Sequence, residues 1–246
     1  VHFVGFAWGT LFQGLNVEGT MYSTVVFDYG NTLCKMGCLV KSLEAVFVHS
    51  MAGVIGKEIE EQIQRLYVPE QALQPHWLDV WKDAFEKYGV EFDKQVGLDH
   101  LRHFLSSGEL YSYTVPLLQK LKYQGTQLVL LSNVTGETAE FENDLGMRGL
   151  SKLFDHVVWS SEIGYRKPSN EAFLAALSCH NSSKSTVLMV GDSEVADIFG
   201  ANGFGLDSML ICDNPVDNSA ATYVVNRQNV ARKIIRLTNY VHKQSR

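Results

Sequence analysis

Three short apolar runs each end on a polar residue fit for chemistry, and an open parallel sheet explains that pattern. Val25-Val26-Phe27 runs directly into Asp28, Leu128-Val129-Leu130-Leu131 into Ser132-Asn133, and Val187-Leu188-Met189-Val190 into Gly191-Asp192. Near-continuous aliphatic runs of this length read as strands buried on both faces. In an open α/β sheet the ligand crevice lies outside the carboxyl ends of the strands, where all three polar endings fall.

The stretches between these runs set the rest of the architecture. Helical signals alternate with strand signals after Gly108: a helix over Val115–Tyr123 capped by Gly125, the strand Gln127–Leu131, and helices around Glu137–Glu142 and Leu150–Leu153. The strand His156–Trp159 follows, then a helix opened by Pro168 and running through Leu177. The strand Thr186–Val190, a helix from Val195 to Asn202, and strands at Ser208–Ile211 and Tyr223–Val225 complete the series. Such alternation predicts a parallel sheet with helices on both faces. Between Leu39 and Phe104 the character differs. Apolar residues recur at three-to-four spacing, as in Leu43, Val46, Phe47 and Met51 and again in Leu78, Trp81, Phe85 and Tyr88, with Pro69 and Pro75 breaking the run. That is a set of amphipathic helices inserted after the first strand.

We therefore expect an α/β core over 21–36 and 107–238, a helical insert over 37–106, an N-terminal extension over 1–20 without a chemical role, and a basic tail over 239–246. At 246 residues a core with an inserted subdomain is a natural size. The formal net charge of −6 argues against nucleic acid as the main partner, because phosphate-backbone binding needs a basic face. The segment from Gln228 onward lacks acidic residues and carries Arg232, Lys233, Arg236, Lys243 and Arg246, which reads as a solvated helix face. No run reaches the ~18 apolar residues of a membrane helix, so no membrane partner is expected. Cys34, Cys38, Cys179 and Cys212 show no CxxC pair and no zinc-ligand spacing; Cys34 and Cys38 are near enough in sequence to approach each other, but free thiols and a cytoplasmic location are expected.

The polar endings together suggest one chemistry. Asp28 and Asp192 converge on a single crevice, and two carboxylates so placed repel unless a cation or proton separates them. Magnesium suits such a pair, since it binds one or two carboxylates and completes its shell with water and phosphate. Lys167, held extended by Pro168, would neutralise the nucleophile and the incoming phosphoryl oxygens. Ser132 offers a hydroxyl to a phosphate oxygen. Asp197, five residues past Asp192, is placed to orient the metal site or to stabilise a helix N-terminus.

The set Asp28…Thr32, Ser132, Lys167-Pro168 and Gly191-Asp192…Asp197 resembles the haloacid dehalogenase-like (HAD) hydrolase superfamily, over about residues 21–238. The resemblance implies a Rossmannoid core with an all-helical cap of the C1 type. It implies that Asp28 is the nucleophile of an aspartyl-phosphate intermediate, and that Ser132, Asn133 and Lys167 bind the phosphoryl group. Mg²⁺ would be held by Asp28, Asp192 and the backbone carbonyl of Gly30. The substrate would be a small phosphorylated metabolite, and the protein a monomer or homodimer.

One position departs from the family pattern. Relatives that act as phosphatases usually carry a second Asp two residues after the nucleophile as general acid and base, and here Gly30 stands there. General acid–base help is typically worth ~10²–10⁴-fold, so alcohol leaving groups should be slow unless His49, His76, His100 or His103 of the insert supplies a proton. The leading expectation is a Mg²⁺-dependent phosphatase. The rivals are a catalytically weak or inactive binding or regulatory protein of the same fold, and a 2-haloacid dehalogenase. The dehalogenase is disfavoured because its fourth motif is not a Gly-Asp-Ser…Asp arrangement.

Overall fold

The computed structural model describes residues 22–179, 182–214 and 218–239. Expectations for residues 1–20 and for most of the basic tail lie outside them. In chain order come β1 (Thr24–Phe27), β2 (Cys34–Lys35), α1 (Leu39–Val46), α2 (Ala52–Gln64), α3 (Trp77–Glu86), α4 (Lys94–Ser106) and β3 (Glu109–Leu110). Then follow α5 (Thr114–Tyr123), β4 (Gln127–Ser132), α6 (Thr138–Met147), β5 (His156–Trp159), α7 (Ser160–Ile163) and α8 (Asn170–Leu177). The remainder is β6 (Val187–Gly191), a π-helical turn over Glu194–Phe199, α9 (Gly200–Phe204), β7 (Asp207–Ile211), β8 (Tyr223–Val225) and α10 (Val230–Thr238). None of the described helices is long and apolar enough to cross a membrane.

Six strands form one parallel sheet in the order β5-β4-β1-β6-β7-β8. The chain order reverses at β1, which is flanked by β4 and β6, and a crevice opens outside the strand ends at such a reversal. Alternate strand residues feed two cores. Val25, Phe27, Leu128, Leu130, Leu188 and Val190 pack under α5, α6 and α10. Val26, Val129, Leu131 and Met189 pack under α8 and α9. Both faces are covered, which is why these strands read as continuous apolar runs rather than alternating ones.

The helices α1 to α4 fall between β2 and β3, two short strands that pair antiparallel with Cys34 opposite Leu110 and Lys35 opposite Glu109. They bury their own apolar cluster, in which Leu43, Ile55, Ile59, Trp77, Trp81 and Phe85 are inaccessible or nearly so. Arg102 of α4 reaches both carboxylate oxygens of Glu140 on α6, at 3.0 and 2.7 Å, and Trp77 Nε1 donates to Glu137 Oε2 at 3.3 Å. These contacts seat the helical set over the crevice end of the sheet.

Several boundaries depart from the sequence-based expectation. The predicted helix at Leu150–Leu153 is a turn: Gly149, at φ +72°, ends the preceding helix, and Leu150 is buried as a plug before β5. Pro168 does not open α8. The helix starts two residues later, where the Ser169 side chain accepts from the Ala172 N–H and caps it. The predicted helix from Val195 begins instead as a π-helical turn capped by Ser193, whose carbonyl accepts from both Asp197 and Ile198. The ribbon of β2 and β3 is two residues per strand, too short to leave a periodic signal. All four cysteines are free thiols, as expected.

Candidate active site

Asp28 leaves β1 with its N–H bonded to Val190 O at 2.9 Å, so the sheet ladder fixes the residue and aims its carboxylate into the crevice. The Lys167 ammonium lies 2.8 Å from Asp28 Oδ1 and 2.6 Å from Asp197 Oδ1, and all three groups are buried. Ser132 Oγ donates to the same Asp28 oxygen at 3.3 Å. Asp197 Oδ2 accepts from the Ser193 N–H at 3.0 Å, an arrangement made by the π-helical turn, which swings Asp197 back beneath β6. Carboxylate oxygens of Asp28, Asp192 and Asp197 lie within 4.8 Å of one another.

The charge balance is uneven. Burial works against the Lys167 charge, yet Asp197 and Asp28 together hold the ammonium above the ordinary lysine value. Burial raises Asp28, Lys167 pulls it back and Asp197 pushes it up again, leaving it above the ordinary carboxylate range. Among the described residues no lysine or arginine forms an ion pair with Asp192. Burial first, then Asp28 and Asp197, push its carboxyl up to about 7. The Thr32 hydroxyl donates to its Oδ1 at 3.5 Å. One ammonium among three carboxylates leaves a deficit of positive charge next to Asp192, which is the donor set a hard divalent cation prefers.

Asp28, Gly30, Ser132, Asn133, Lys167, Asp192 and Asp197, the residues singled out in the sequence, all line one cavity of about 420 Å³. Asn133 does so differently from expectation. Its side chain holds the backbone of Lys167, accepting from the N–H at 2.8 Å and donating to the carbonyl at 2.9 Å. The upper wall was not legible in the sequence: Met36, Leu39, Ile63, Tyr67, Leu101 and Phe104 come from the insert or its edges. Their helical spacing marks an apolar face without saying whether that face meets a core or a cavity.

None of the four candidate histidines lines this cavity. His100 is fully buried, accepting from Trp81 Nε1 at 3.1 Å on Nδ1, so its Nε2 carries the proton shared with Leu39 O at 2.8 Å. His49 stacks on Phe47, 5.2 Å between ring centroids, and His76 sits at the N-terminus of α3. At the position of the absent acid, a Cβ on Gly30 would lie 3.3 Å from Met36 Cγ.

Comparison with known proteins places the fold in a family. A family model described as haloacid dehalogenase-like hydrolase matches residues 22–205. Among curated relatives, a ribulose-1,5-bisphosphate 5-phosphatase of Halopiger xanaduensis is 34% identical over 118 residues, 47% of each chain. A phosphoglycolate phosphatase of Aquifex aeolicus is 29% identical over 135 residues, 53% of this chain and 59% of that one. The chain thus spans about half the length of the curated relatives it matches. In fold it is similar to a magnesium-bound structure of YfnB from Bacillus subtilis, with TM-score 0.65 and 21% identity over 89% of this chain and 100% of that one. It is likewise similar to L-2-haloacid dehalogenase from Xanthobacter autotrophicus, with TM-score 0.64 and 15% identity over 87% and 98% of the two chains. With the family model covering well over half of its length, this chain belongs to the haloacid dehalogenase-like hydrolases.

Proposed function

We propose that this protein is a Mg²⁺-dependent phosphatase of a small phosphorylated metabolite, working through an aspartyl-phosphate on Asp28. The observation that carries this reading is the buried Asp28–Lys167–Asp197 chain of charges, with the Asp192 carboxylate converging on the same point. Both side-chain hydrogen bonds to Asp28 fall on Oδ1. A metal ion held by Asp28, Asp192 and the Gly30 carbonyl would supply positive charge for the phosphoryl oxygens. Asp28 attacks phosphorus, the ester P–O bond breaks, and the leaving alcohol takes up a proton. Water then attacks the phosphorus of the acyl phosphate, freeing Asp28 and inorganic phosphate. Lys167 stays protonated throughout and offsets charge on Asp28 and on the transferred group. Ser132 donates to a phosphoryl oxygen once that group displaces it from Asp28. The relatives named for small phosphorylated substrates support this class.

With Gly30 in place of the acid, protonation of the leaving group falls to water or to the substrate. Acetyl phosphate, whose leaving group needs no proton, should therefore outrun alkyl phosphates by ~10²-fold or more. The test is phosphate release from p-nitrophenyl phosphate and acetyl phosphate in Mg²⁺ or EDTA, with Asp28→Asn as the blank. Metal-dependent release that vanishes in the variant is expected. Equal, negligible release from both proteins on both compounds would overturn this reading in favour of a binding module.

A further inference from the structure

Arg166 carries an unmatched charge at the edge of the same cavity. The residue is 0% exposed, its guanidinium Nε and Nη2 meet no acceptor at ordinary hydrogen-bond geometry, and the Tyr67 side chain is what offsets its buried charge. Its Nη1 donates to Gln74 Oε1 at 2.5 Å and lies 3.5 Å from Thr135 Oγ1, both neutral acceptors. Among the described residues no carboxylate forms an ion pair with it, whereas the adjacent Lys167 binds two. A guanidinium does not shed its proton in a protein, so its burial is unfavourable until an anion meets it. The two bare groups, Nε and Nη2, form one edge of the guanidinium, the edge that takes an oxyanion through two parallel hydrogen bonds.

That charge lies next to the reaction cavity, behind a thin cover. The Tyr67 ring lies over it, with the guanidinium carbon 5.1 Å from the ring centroid. Tyr67 and Thr135 both line the cavity that contains Asp28 and Lys167. Tyr67 stands beyond the end of α2 and is 43% exposed, so its ring has room to turn outward without disturbing the buried cluster of the helices. The backbone N–H of Arg166 is anchored to Ala72 O at 2.8 Å, and its Nη1 to the Gln74 side chain two residues on, so the Ala72–Gln74 segment holds both ends of the residue.

We propose that Arg166 binds a second anionic group of the substrate when Tyr67 swings aside, so that the preferred substrates are phosphate monoesters carrying a further oxyanion. This rests on the phosphatase reading of the Asp28 site and adds the substrate class to it. Lys167 and Arg166, neighbours in sequence, then serve the two ends of one ligand. The oxyanion is a carboxylate or a second phosphate, and both present the oxygen pair that the fork requires.

Two substrate pairs test this: 2-phosphoglycolate against ethyl phosphate, and fructose 1,6-bisphosphate against fructose 6-phosphate. Wild-type kcat/KM should favour the extra-charged member of at least one pair. Arg166→Met should shrink that ratio about 10- to 100-fold, the range for losing a hydrogen-bonded charge. Arg166→Lys should restore part of it, since it keeps the charge and loses the fork. No preference in wild type for either pair, or equal losses on both members of a pair in Arg166→Met, would overturn the proposal and leave Arg166 as a strut for the Gln74 segment. If no compound is turned over, the phosphatase reading fails separately. Thermal shift of Asp28→Asn with Mg²⁺ then decides. Stabilisation by 2-phosphoglycolate beyond that by ethyl phosphate, lost on adding Arg166→Met, supports the anion site. No such difference overturns it.

Discussion

Asn133 holds Lys167 by its backbone on both sides, accepting from its N–H at 2.8 Å and donating to its carbonyl at 2.9 Å. The strand end that carries Ser132 is thereby locked to the loop that carries the ammonium. Placement of the Lys167 Nζ between Asp28 and Asp197 depends on this lock, because a lysine side chain by itself has many rotamers.

Asn133→Asp keeps the size and the acceptor but sets a carboxylate oxygen against the Lys167 carbonyl. One hydrogen bond is replaced by a repulsion, and a new negative charge enters a cluster already short of positive charge. We expect kcat on acetyl phosphate to fall about 10- to 100-fold, with a smaller change in KM, in steady-state kinetics. A kcat within twofold of wild type would show that the lysine finds its place without the lock.

Gly191 is fixed by contact rather than by backbone angle. A Cβ there would lie 2.0 Å from Asp197 Oδ2 and 2.2 Å from its Cγ, so Gly191→Ala has to expel the Asp197 side chain. That breaks the 2.6 Å bond to Lys167, which keeps only Asp28, and leaves the Asp197 carboxylate without its cation. We expect Tm to drop by roughly 6–12 °C, on about 3 kcal/mol at ~2–4 °C per kcal/mol for a chain of this size, and turnover to fall to the Asp28→Asn blank. Gly203→Ala is the control, because a Cβ at Gly203 meets nothing within 4 Å. Its Tm should equal or slightly exceed that of wild type. A wild-type Tm for Gly191→Ala would refute the crowding argument.

Metal binding should follow the proton on Asp192. Burial, then Asp28 and Asp197, push the Asp192 carboxyl up to about 7 from an ordinary value of 3.8. The folded metal-free protein therefore holds a proton that the unfolded chain has already lost, and Asp192 contributes a loss of stability as pH rises from about 3.8 to about 7. A metal ion has to displace that proton below about pH 7, so its affinity should weaken up to tenfold per pH unit there and level off above. Calorimetric Mg²⁺ titration at pH 6 and pH 8 measures this. Asp192→Asn should lose both the affinity and its pH dependence. Equal dissociation constants at the two pH values would remove Asp192 from the metal site.

The sheet and the floor of the site were legible because they rest on local signals. Val25–Phe27, Leu128–Leu131 and Val187–Val190 are buried on both faces and end at the switch point, so Asp28, Ser132 and Asp192 were traceable from runs of residue type alone. What could not be read was whatever depends on which way a helix face turns. Ile63 and Leu101 belong to the same helical pattern as Ile55 and Trp81, yet they also border the cavity, whereas Ile55 and Trp81 lie wholly within the apolar cluster of the insert. Nothing in the segment around Arg166 signals its burial, because its cover is supplied by Tyr67 and Gln74, roughly a hundred residues earlier. The π-helical turn was missed for a related reason. The turn places Asp197 against Lys167, a tertiary contact that the residue types of Glu194–Phe199 do not signal.

His100 was a candidate proton donor, and its surroundings give it a different, measurable part. It is buried between the Trp81 indole and the Leu39 carbonyl, with the former donating to Nδ1 and the latter accepting from Nε2. Protonating Nδ1 would set two donors against each other, and burial lowers the imidazole to about 4 from its ordinary 6.5. A group lowered in the folded state stabilises fully above its unfolded value, and that contribution drains as pH falls from about 6.5 to about 4. The loss approaches about 3 kcal/mol at the acid end, large against the ~5–15 kcal/mol total stability of a typical domain. Asp192 works in the opposite direction over an overlapping range, so the test is best run on Asp192→Asn. Urea midpoints at pH 7.5, 6, 5 and 4.5 should fall steadily in that background. In Asp192→Asn/His100→Gln the overall midpoint should be lower, since the Gln amide fits the two partners less well, but its decline with pH should be shallower. Parallel declines in the two proteins would mean that His100 accepts its proton without cost and that another group drives the acid sensitivity.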